Sequence, residues 1–89
     1  MEKHNTHYLK VWPEYFEAMT TGKKKFEVRW GDDRQFKVGD ILTLQEWDPK
    51  TERHTGQVIF RTVTYILRGP EFGIPEGLQI MSLGYPNFV

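Results

Sequence analysis

The chain has no cysteine, so no disulfide and no thiolate metal site holds it together. That absence suits a reducing compartment. No apolar stretch approaches the ~20 residues of a membrane span. The first six residues, Met1-Glu2-Lys3-His4-Asn5-Thr6, are polar and unlike the apolar run of a signal peptide. A soluble, cytoplasmic protein with no membrane partner is therefore expected. Formal net charge is zero, which argues against coating duplex nucleic acid by bulk charge. Catalytic signatures are missing too: there is no G-x-S-x-G, no P-loop and no H-E-x-x-H.

What is present is aromatic. Six Phe, four Tyr and three Trp in 89 residues suit a small, sheet-rich domain whose core is aliphatic and aromatic. The length allows one domain, placed at residues 7–84 between a flexible segment (1–6) and a tail (85–89) in which Tyr85 and Phe88 could pack back.

Alternation and turn signals divide that domain. His7 to Trp12 reads as a strand with Leu9 and Val11 inward. Pro13 suits the first position of a helix, and Tyr15, Phe16 and Met19 form its apolar stripe. Gly22 stops the helix in the left-handed conformation. Lys24 to Trp30 is a second strand, and 31–34 a turn. Phe36-Lys37-Val38-Gly39-Asp40 makes a tight corner, with the aspartate bonding nearby backbone N–H groups. Ile41 to Trp47, Gln57 to Leu67 and Leu78 to Leu83 are further strands, with a hairpin loop at 48–51 and Gly56. The fold class is thus α+β, mainly β: a small, partly open barrel of about five strands with one helix before the second strand.

Charge is uneven along this frame. From Gly22 to Lys37, six basic residues (Lys23, Lys24, Lys25, Arg29, Arg34, Lys37) face three acidic ones (Glu27, Asp32, Asp33). Period-2 alternation sends Phe26, Val28 and Trp30 to one side of the second strand, read as core, and Lys25, Glu27 and Arg29 to the other. That charged side is either a salt-bridged surface or the floor of a polar cleft. His4 and His7 are spaced to share a metal, but no metal site is expected from two ligands near a terminus. Asp40, Glu46 and Asp48 are read as turn caps that face water rather than a carboxylate cluster.

Gly22-x-Lys24-x-x-Glu27-x-Arg29 matches G-x-K-x-x-E-x-R, the signature of the ASCH domain superfamily. His7-x-Leu9-Lys10, Pro13-x-Tyr15-Phe16, the block from Asp33 to Leu42 and Glu46-Trp47-Asp48 extend the likeness. From His7 to about Leu83 the chain resembles a small bacterial and phage subfamily of ASCH-like proteins of unsettled function. The resemblance implies a PUA-like barrel with a cleft beside the motif strand. It also implies an RNA or nucleotide-like ligand, with no cofactor.

The ligand-binding residues so expected are Lys24, Glu27 and Arg29, assisted by Lys10 and Arg34. Trp12, Tyr15, Trp30 and Trp47 are candidates to stack a base. One enzymatic branch of the superfamily hydrolyses N4-acetylcytidine with a lysine and a threonine. This chain keeps the lysine as Lys24 and carries Glu27 in place of the threonine. A small hydrolase acting on a modified nucleoside or RNA, with Lys24 and Glu27 as acid and base, is therefore an alternative. A non-enzymatic protein-interaction module is another.

Overall fold

The computed structural model describes residues 4–31 and 34–87. Asp32, Asp33 and Phe88, assigned above to a turn and to tail packing, lie outside the described residues, as do residues 1–3 and 89. The elements run β1 (Thr6–Val11), α1 (Pro13–Thr20), β2 (Phe26–Trp30), β3 (Ile41–Asp48), β4 (Arg53–Arg68), a single 3-10 turn (Glu71–Gly73) and β5 (Leu78–Gly84). Pro13 opens α1, and Gly22 follows it with φ of +81°.

The five strands form one mixed sheet in the order β1-β3-β4-β5-β2. β1 runs parallel to β3, and the other neighbours are antiparallel. The two strands at the ends of that order approach each other, because Arg29 of β2 donates to the backbone carbonyl of Lys10 in β1. The sheet is therefore a half-barrel with an open seam between β1 and β2, as the sequence predicts in outline. The hairpin turn falls at 49–52. Gly56 lies inside β4 rather than in the loop, at φ of +96°, where the pairing register with β3 shifts.

The core lies between the inner face of the sheet and α1. Leu9 and Val11 of β1, Phe16 and Met19 of α1, Phe36, Leu42, Leu44, Val63 and Met81 are all buried. Tyr15, placed in the apolar stripe of the helix, is instead exposed and turns to Trp12, the ring centroids 6.4 Å apart.

The motif strand is turned over relative to the sequence reading. Glu27 is 4% exposed, whereas Phe26, Val28 and Trp30 are 45%, 40% and 53% exposed. Register explains this. Glu27 sits opposite Met81, which is fully buried, so both share the inner face. Val28 pairs with Ile80, and Trp30 with Leu78, on the outer face. A carboxylate can occupy an inward position when cations meet it there. Here Lys24 and Arg29 do so.

Candidate functional site

The seam between β1 and β2 opens into a cleft of about 430 Å³, lined on one side by Lys10, Val11, Trp12 and Tyr15. The other side is Lys24, Glu27, Val28, Arg29 and Trp30. The chain positions these groups in three ways. β1 ends at Val11, so Trp12 and the first turn of α1 form one lip. The backbone N–H of Lys24 donates to the carbonyl of Ala18 at 2.9 Å, which fixes the start of the motif strand against the end of the helix. β2 then carries Glu27 and Arg29 inward from the opposite edge.

At the floor, each oxygen of Glu27 meets one cation. Lys24 Nζ lies 3.2 Å from Oε1, and Arg29 Nε lies 2.6 Å from Oε2. Lys24 also donates to the carbonyl of Phe26 at 2.9 Å. Arg29 extends through Nη2 to the carbonyl of Lys10, 2.6 Å away, and so spans the seam. Lys10 Nζ stands 4.8 Å from the ring centre of Trp47. Two cations thus meet one carboxylate and a third, Lys10, lines the same cleft, so the cleft favours anions. With both oxygens engaged, Glu27 holds Lys24 and Arg29 in place and is poorly set to move a proton.

Of the residues expected from the sequence, Lys10, Lys24, Glu27 and Arg29 meet in this cleft. Arg34 does not line it, and its guanidinium lies 5.9 Å from the Phe36 ring. Trp12, Tyr15 and Trp30 rim the cleft, and Trp47 reaches it only through Lys10. Glu27 and Arg29 pair with each other and also floor this cleft, whereas Lys25, assigned to the same side of the strand, does not line it. Val11 and Val28 were missed as lining. Nothing in the alternation shows that the outer face of β2 curves into the seam.

The histidine and carboxylate candidates are dispersed. Among the described residues no three metal-ligating side chains come together. His7 is buried against Phe36 and donates through Nε2 to Asp40, 2.7 Å away. Glu46 accepts from the Thr55 hydroxyl, and Asp48 from the backbone N–H of Lys50. No helix among the described residues is long and apolar enough to cross a membrane.

The model of a family described as a domain of unknown function, DUF3850, matches residues 6–83, and the chain belongs to that family. No curated protein matches it.

Proposed function

We propose that this member of the DUF3850 family binds a nucleotide, free or as part of single-stranded RNA, in the cleft between β1 and β2. The observation that carries the reading is the meeting of Lys10, Lys24 and Arg29 with the aromatic lips Trp12, Tyr15 and Trp30. Arg and Lys supply charge-assisted bonds to phosphate. An exposed ring on either side offers stacking worth about 1–3 kcal/mol per base. The volume falls within the usual ~300–1,000 Å³ of small-ligand sites and suits one nucleotide rather than a duplex. A half-barrel with a helix ahead of the G-x-K-x-x-E-x-R strand supports the ASCH-like, PUA-like assignment on which the RNA reading leans.

Adding nucleoside monophosphates and short RNA oligomers to ¹⁵N-labelled protein should move the amides of residues 10–12 and 24–30. Arg29→Ala should weaken binding about tenfold, the loss of one charge-assisted contact. Unmoved amides at millimolar ligand would refute the proposal.

A further inference from the structure

A second hollow, of about 240 Å³, adjoins the cleft. Its lining includes Met19 and Gly22 at the end of α1, Lys24 and Lys25 before β2, Arg61 of β4 and Tyr85 after β5. Lys24 lines both hollows, so the two meet at that residue. Every charged residue that lines the second one is basic.

The chain holds these groups in place locally. At the end of α1 the carbonyls of Glu17, Ala18 and Met19 accept from the backbone N–H groups of Thr21, Lys24 and Gly22. The negative end of the helix is therefore met by the chain itself. Arg61 donates through Nη1 to the carbonyl of Phe60 (2.8 Å) and through Nη2 to that of Met19 (3.3 Å). These bonds fix the guanidinium and leave part of its fork of donors unspent. Its central carbon lies 4.5 Å from the ring centre of Tyr85, and that ring is 73% exposed. The carbonyl of Lys25 accepts from the backbone N–H of Leu83 at 3.0 Å, which ties the lysine to the end of β5.

Charge balance separates the two hollows. In the cleft, Glu27 offsets Lys24 and Arg29. Among the described residues no carboxylate forms an ion pair with Lys25 or Arg61. A fixed guanidinium, a lysine and an exposed ring match the phosphate and the base of a nucleotide. The cleft presents a set of the same kind on the other side of Lys24. Cations and aromatic rings repeated along a groove are how single strands are followed.

We infer that the second hollow takes the next nucleotide of a strand whose first nucleotide lies in the cleft, with Lys24 at the phosphate that joins them. Lys25 and Arg61 meet the phosphate of this second nucleotide, and Tyr85 stacks on its base. The ligand is then single-stranded RNA of two or more nucleotides rather than a free nucleotide. This inference rests on the nucleotide reading of the cleft and narrows it.

The probes are adenosine monophosphate and the 5′-phosphorylated adenosine dinucleotide, each added to ¹⁵N-labelled protein at equal ionic strength. The dinucleotide should bind about tenfold more tightly. It should move the amides of Arg61 and residues 83–85 together with those of 10–12 and 24–30, whereas the monophosphate should leave Arg61 and 83–85 in place. Lys25→Gln and Tyr85→Leu, both at exposed positions, should each remove most of the dinucleotide's advantage without changing monophosphate binding or the melting temperature. Lys50→Gln, the same loss of charge on the hairpin turn, should keep that advantage. Equal affinity for the two probes would overturn the inference and leave the nucleotide reading intact. So would still amides at Arg61 and 83–85 while those of the cleft move. Amides unmoved at both places would refute the nucleotide reading, and the inference with it.

Discussion

Asp40 closes the corner between Phe36 and β3 from a fully buried position. Its carboxylate accepts from the backbone N–H of Lys37 (2.9 Å), the backbone N–H of Asn5 (3.0 Å) and His7 Nε2 (2.7 Å). Burial pushes the carboxyl up, but the Asn5 N–H, the His7 ring and the Lys37 N–H outweigh it and hold it below its ordinary value. The folded state therefore binds this proton less readily than the unfolded chain. The stability it contributes is complete above about pH 4 and is lost as pH falls through the folded-state value. Asp40→Asn should lower stability by about 2–4 kcal/mol at neutral pH, because one oxygen's acceptor role is replaced by a donor. It should also flatten the acid limb of a urea-midpoint-against-pH curve below about pH 4. A limb as steep as that of the wild type would assign acid sensitivity to other carboxylates. Only the Lys37 contact was legible in the sequence, because it is local to the corner. His7 and Asn5 reach Asp40 across 33 and 35 residues, and neither alternation nor spacing carries that information.

Among elements, β2 separates what a pattern determines from what it leaves open. Alternation of Phe26, Glu27, Val28, Arg29 and Trp30 correctly divides the strand into two faces. Which face turns inward depends on groups outside the strand's own pattern. Lys24 neutralises Glu27 from the preceding turn, Arg29 does so from two positions on, and Met81 on β5 sets the depth. Without the pairing partner, an apolar face inward is the cheaper assumption. Val28→Asp should therefore leave the melting temperature within a few degrees of wild type, a cost of about 1 kcal/mol or less at a half-exposed position. Met81→Asp, opposite Glu27 on the inner face, should prevent folding, since it buries a carboxylate with no further cation. Circular dichroism melts of the two variants decide between the faces. Loss of folding in Val28→Asp would restore the opposite orientation. The helix and strand positions were legible because Pro13, Gly22 and Gly39 punctuate the chain locally. The sense of β2 was not, because it is a property of the sheet.

For the molecule as a whole, the sheet order leaves β1 and β2 as its two free edges, joined across the seam by the Arg29 guanidinium. β2 is short and pairs on one side with β5. Its amides should exchange with deuterium sooner than those of β3 and β4, which are flanked on both sides. Arg29→Ala should speed exchange in β1 and β2 further while leaving β3 and β4 unchanged, as read by hydrogen–deuterium exchange. Uniform acceleration across all strands would mean that Arg29 supports the global fold rather than the seam. That four of the five expected binding residues share one cleft was legible only through the motif, because three of them lie within six positions of chain. The opposite lip, from β1 and α1, is brought there by topology.

The same strand order has a consequence in time. β2 is complete by residue 30, yet β5, its one strand neighbour among the described residues, begins at Leu78. A chain emerging from synthesis can form the β1–α1 segment and the β3–β4 hairpin while β2 still has nothing to pair with. The wall carrying Glu27 and Arg29 is therefore the last part of the architecture to be set in place. A polypeptide interrupted before Leu78 would hold every residue that lines the cleft and have no cleft.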